Sequence, residues 1–180
     1  MKTLNILFVI FISINCYSQD SRLFEHTWYL HDLIINGNSN VPPVNEEIEY
    51  VPLNFEEASN TFGTGVCASG GGELSFNGMT EFSCESIVFL ATGCNTNFPQ
   101  NPDYDLLYKD FWWDGEQDPF QYEIIEIDDT RTLIITSILG DQAIYGNNLL
   151  SLSEFSEDSI QIQPNPTAKY INISLSANII

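Results

Sequence analysis

Positive charge is what this chain has least of. Its 180 residues include 5 Lys or Arg against 25 Asp or Glu, a formal net charge of −20. Such a field repels phosphate backbones and anionic head groups, so no nucleic-acid partner is expected; cations or basic partners are favoured. Histidine is nearly as scarce. His26 and His31 stand five apart in a stretch that alternates like a strand, and odd spacing puts them on opposite faces. No C-x-x-C occurs and neither His lies near a cysteine, which excludes the usual zinc frameworks. No G-x-S-x-G elbow is present, so a hydrolase nucleophile of that kind is not expected. The Gly63-Thr64-Gly65 and Gly70-Gly71-Gly72 stretches lack the following helix and Lys of a phosphate loop and read as turns. Beyond the N-terminus no apolar run is long enough for a transmembrane helix. Catalytic residues, metal ligands and cofactor sites are therefore not assigned.

The N-terminus sets the expected compartment. "MKTLNILFVIFISINCYSQ" has a basic Lys2, an apolar run from Leu4 to Ile14 and small residues near Ser18. That is the layout of a secretory signal peptide over residues 1–18, with cleavage leaving Gln19 first. Lipid attachment at Cys16 is the rival reading; Asn15 stands where a lipoprotein signal wants a small residue. The expected location is secreted or anchored at the cell surface, reached through the periplasm. Cys67, Cys84 and Cys94 remain, and in an oxidising compartment two of them should pair. Three pairings are open; Cys67 with Cys94, which closes the largest loop, is the one assigned here.

Aromatics make up 13% of the chain, which favours a strand-based core. Strands are expected within His26 to Gly37, Ile48 to Phe55, Thr61 to Cys67, Glu73 to Asn77 and Met79 to Gly93, the last bent near Ser83 to Ser86. Pro52 inside the second argues for an edge or a bulge, and Asn77-Gly78 signals a tight hairpin. The period then changes. Asn101 before Pro102 suits a helix cap. Leu106, Leu107, Asp110 and Phe111 fall at helical spacing, a short amphipathic helix of about three turns. "FQYEIIEID", "RTLIITSIL" and "DQAIYGN" read as three further strands turned at Asp128-Asp129 and Gly140-Asp141. The whole is mainly β and antiparallel: about eight strands and one helix, closed into a barrel to remove its edges. Residues 19–148 form this body, 149–158 a Ser- and acid-rich linker, and 159–180 a separate tail.

One constellation invites chemistry. Asp110, Trp112, Trp113, Asp114 and Glu116 lie together, and Trp112 or Trp113 could stack on a sugar. Hydrolysis would further need two carboxylates fixed across a rigid cleft; packing of the helix on the barrel is the plainer role. Two oxygen-rich loops, Asn95 to Asp105 and Asp114 to Asp118, could suit calcium, but neither has the register of an EF-hand.

"SIQIQPNPTAKYINISL" places Pro164, Asn165 and Pro166 between two alternating segments, the second being Tyr170 to Leu175. It resembles the opening of the C-terminal sorting domain of the type IX secretion system. The resemblance implies that 159–180 begin a longer β-sandwich, and that the secretion machinery is a partner. The body resembles lipocalin-like proteins of the META type, through Trp28 in "TWYL", the "GTGVCASGGGEL" stretch, Thr92 to Cys94 and the Leu133 to Gly146 hairpin. That resemblance implies an antiparallel barrel and no shared catalytic activity. The expected role is a non-catalytic secreted or surface domain for adhesion or capture of an extracellular ligand. A small polysaccharide-acting hydrolase and a carrier of an apolar ligand are the alternatives.

Overall fold

The computed structural model describes residues 19–149, apart from 115 and 117, and the two strands at 160–163 and 172–175. Residues 1–18, expected to be a leader, with Lys2, Cys16 and Ser18, residues 150–158 of the expected linker, and Pro164, Asn165 and Pro166 lie outside the described residues. The chain divides into two compact units, with the boundary after Asn148.

The first unit is a closed antiparallel barrel. Its strands are β1 (Trp28–Ile35), β2 (Asn38–Asn40), β3 (Pro52–Glu56), β4 (Thr61–Thr64), β5 (Gly70–Phe76), β6 (Glu81–Phe89), β7 (Phe120–Ile127), β8 (Thr130–Thr136) and β9 (Gln142–Gly146). β1 pairs with β3 through Trp28 and Tyr29 and with β9 along Tyr29 to Ile34, so eight strands close on themselves. β2 is an extra strand on β1, made by an Asn36-Gly37 turn. Both turn residues have positive φ, 52° and 77°, the type I′ geometry that Asn-Gly favours. The polar run Asn38–Asn40 has little strand propensity of its own. The Asp32 carboxylate accepts from the Ser39 hydroxyl and the Asn40 N–H, and the Asn40 amide donates to the Leu33 carbonyl. Side-chain bonds therefore supply what propensity does not.

Three local expectations need correction. Gly70-Gly71-Gly72 is no turn; it is the first part of β5, paired with β4 and, at Gly70 and Gly71, with β6. The reason is close approach: a Cβ on Gly70 would overlap the Phe89 ring, and one on Gly71 the Phe62 carbonyl. Pro52 marks neither an edge nor a bulge but opens β3, a position that tolerates a missing donor. β4 ends at Thr64, three residues earlier than expected, and residues 65–69 form the connection to β5. The bend expected in β6 is present, with Ser86 at φ 55° and a register shift on the β5 side between Gly71 and Glu73.

Alternation packs the interior. Trp28, Leu30, Leu33, Leu53, Phe55, Phe62, Leu74, Phe82, Cys84, Phe120, Leu133, Ile135 and Tyr145 all point inward and are buried. A 3-10 turn, Ser21–Phe24, covers one barrel end: Leu23 is buried, and Phe24 meets Phe55 and Phe76 edge-on, near the last residues of β3 and β5. The Trp28 indole N–H donates to the Leu23 carbonyl over 2.9 Å. The opposite end, where β4 and β6 finish, is covered by α1 (Asn101–Asp114). At 14 residues this helix has nearly four turns rather than three.

The second unit contributes β10 (Ile160–Gln163) and β11 (Asn172–Leu175), an antiparallel pair in register from Ile160 opposite Leu175 to Gln163 opposite Asn172.

Candidate functional site

Helix α1 brings together most of the residues singled out in the sequence; of the apolar residues read at helical spacing, Phe111 is buried and Leu107 packs against the core. Leu106 was expected on the packed side; it is 55% exposed. The buried stripe is Tyr104, Tyr108, Phe111 and Trp112, spaced i, i+4, i+7, i+8 as one helical face requires. Leu107 flanks it. Aromatic rings offer more area per residue than leucine and so win the inward face.

Trp112 is accordingly not a stacking platform for a ligand. It is fully buried, stacked on Phe62 at 4.6 Å and 23°, with Phe120 and Phe111 edge-on at 5.5 and 5.7 Å. Trp113, about 100° further round the helix, is 41% exposed. Its ring meets Phe89 at 5.6 Å and 86°. Asp110 and Glu116 are exposed nearby in sequence, and the Glu116 N–H donates to the Trp113 carbonyl. Of the constellation read in the sequence, Trp113, Asp110 and Glu116 remain accessible. Trp112 belongs to the core, and the Asp114 side chain lies outside the described residues.

Inside the barrel the helix is held by a chain of hydroxyls. Thr64 donates to the Pro52 carbonyl over 2.7 Å, so its oxygen is free to accept from Tyr108, whose hydroxyl in turn accepts from Tyr145 over 3.0 Å. The order Tyr145 to Tyr108 to Thr64 to Pro52 follows, because each hydroxyl has one proton to give. Burial pushes the phenol pKa of Tyr108 and Tyr145 above its ordinary value, and the same holds for Tyr104. These are fixed neutral donors, with no acid–base work to do near neutral pH.

The disulfide joins Cys67 and Cys94, with Cα atoms 5.1 Å apart. Cys84 is the free thiol among the described residues. It is buried among the inward residues of β6, and desolvation raises its pKa far above that of an exposed cysteine, which leaves it unreactive. Asp105 lies beside the bridge: one oxygen accepts the Cys67 N–H over 3.2 Å, and the other holds the Lys109 ammonium. The two sulfurs and this carboxylate are the one cluster of metal-type donors among the described residues. With the sulfurs bonded to each other, they offer no thiolate to a metal.

The calcium-type loop from Asn95 to Asp105 is tied to Asn45 and Glu47. Glu47 accepts from the Asn95 N–H at 2.6 Å and from the Asn101 amide at 2.7 Å, and Asn45 and Asn101 bond to each other. The effect is to fasten the start of α1. The second loop, 114–118, is only partly described.

His26 and His31 do not meet. His26 is exposed against Arg131 and Glu25, and His31 contacts the Asn148 carbonyl at 2.9 Å. All three described basic residues are committed to carboxylates: Arg22 to Asp20 and Glu126, Lys109 to Asp105, Arg131 to Glu25 and Glu126. The accessible charge that remains is therefore overwhelmingly negative. Sequence reasoning missed Phe89 and Gly70 as supports of Trp113, because their contacts are set by pairing across β5 and β6 rather than by local pattern. No family model, curated protein or solved structure matches the chain.

Proposed function

We propose that this chain is a non-catalytic domain exported by type IX secretion, which works outside the cell or at its surface by binding an extracellular ligand. The observation that carries the reading is the state of the barrel interior. Two tryptophans, Tyr108, Tyr145, Phe82 and Phe120 fill it, each less than 2% exposed. A carrier of an apolar ligand in the barrel would have to displace these rings, so recognition falls to the outer surface. The Cys67–Cys94 bridge supports an oxidising location. The resemblance of 159–180 to a sorting signal, and of 1–18 to a leader, supports the route. The META-type likeness agrees with a closed barrel and brings no catalytic set with it. Against the hydrolase alternative, the one aromatic-and-acid cluster loses Trp112 to the core.

The test is export. The gene, with whatever reading frame follows Ile180, is expressed in a bacterium with an intact type IX system and in a strain lacking it. Surface or medium protein beginning at Gln19 is expected only in the first. Protein retained inside with its leader intact, or equal export from both strains, refutes the proposal.

A further inference from the structure

Trp28 and Trp112 are fully buried while Trp113, next in the chain, presents 41% of its surface to solvent. Its setting is built rather than incidental. Phe89 stands edge-on to it at 5.6 Å, and Phe89 is fixed from two other sides. The Lys109 ammonium lies 5.7 Å from its ring centroid. On β5, Gly70 leaves room that a Cβ would take from the ring. Lys109 is itself pinned by the nearly buried Asp105, whose other oxygen accepts the N–H of disulfide-bonded Cys67. An indole set against a fixed ring has less side-chain freedom to lose on binding, which is what preorganisation requires. Asp110 sits one turn earlier on the same helix face and Glu116 just beyond, both exposed acceptors. An aromatic plane flanked by hydrogen-bond acceptors suits a pyranose ring, whose C–H face stacks while its hydroxyls donate. The net charge of −20 and the pairing of every described cation disfavour uronic-acid or sulfated chains.

We propose that Trp113, with Asp110 and Glu116, is a surface subsite for a neutral polysaccharide. The inference rests on the reading of the chain as an extracellular binding domain and names its ligand class. Because Trp113 is the exposed tryptophan of three, acrylamide quenching of indole emission reports on it directly. The full chain is titrated with cellohexaose and chitohexaose as neutral probes and oligogalacturonate as the acidic one. A neutral oligosaccharide should protect the emission from quenching and retard the protein in an affinity gel. Trp113→Ala should weaken binding at least about tenfold, the scale of losing a central aromatic contact. Trp113→Tyr, which keeps an aromatic face, should retain most of it. Equal binding by wild type and Trp113→Ala, no protection by either neutral probe, or binding of oligogalacturonate as tight as theirs overturns the subsite while leaving export untouched. Release of new reducing ends would instead refute the non-catalytic reading.

Discussion

Replacing Cys67 and Cys94 together by Ala tests how much of the barrel's stability comes from the bridge. The two residues are 27 apart in sequence. Loop-closure entropy for that separation gives about 3.5 kcal/mol at 25 °C. For a body of roughly 130 residues the unfolding entropy is near 270 cal/mol/K, so the melting temperature should fall by roughly 10–15 °C. Circular dichroism melts and urea titrations of the chain from Gln19 onward measure this. Cys84 supplies an internal control: buried and unreactive, it should titrate with a thiol reagent only after denaturation, as one thiol in the parent and one in the double variant. A loss under about 1 kcal/mol would mean that the bridge does not restrict the unfolded chain as supposed. Native-state reactivity of Cys84 would show that the core placement of β6 is wrong.

Tyr108→Phe removes the hydroxyl that donates to Thr64 and accepts from Tyr145; the stranded Tyr145 hydroxyl should cost about 1–3 kcal/mol in a urea titration, and Tyr108→Phe with Tyr145→Phe should cost less than the two single changes summed. The Arg22 guanidinium holds the Asp20 carboxyl below its ordinary range; a depressed acid stabilises the fold above its unfolded value near 3.9 and loses that contribution as pH falls through the folded value, so Asp20→Asn should flatten the acid limb of a stability–pH curve and leave its shape above about pH 5 unchanged. Tyr108 and Tyr145 shift the other way. A raised phenol pKa stabilises the fold below the unfolded value of about 10 and is lost above it, so their absorbance change near 295 nm should appear together with alkaline unfolding.

The strands were legible because their inward residues recur with period two and their ends carry turn chemistry. In β6 the same period places Phe82 and Cys84 inward, which is why Cys84 is the unpaired thiol. Misreadings arose where a residue answers to a distant partner. Gly70-Gly71-Gly72 resembles a turn in isolation; its glycines are there because Phe89 and the Phe62 carbonyl crowd the strand from its neighbours. The helix was legible as a helix, but its face only in part: Leu107 and Phe111 pack inward as their spacing suggests. Leu106 and Trp113 put apolar groups outside while the row from Tyr104 to Trp112 packs inside, so apolar residues occur all round and periodicity alone has no unique answer. Adjacent tryptophans sharpen the ambiguity: one must point in and the other out, and only the position of Phe62 and Phe120 decides which.

The same contacts explain how the proposed subsite on the outer face of α1 is held in place. The 3-10 turn covers its end with Phe24 and with the Asp20–Arg22 pair, a closed arrangement that also ties to Glu126. The helix covers the other end with Tyr108 locked to Thr64 and Tyr145. Because that inner side is fixed, the outer side of the same rigid element is fixed too, and Trp113 inherits its orientation from the core. The disulfide reaches the indole through Asp105, Lys109 and Phe89. Opening the bridge should therefore disturb the setting of Trp113 before it disturbs the strands, since the pairing of β1 with β9 that closes the barrel lies in other parts of the chain.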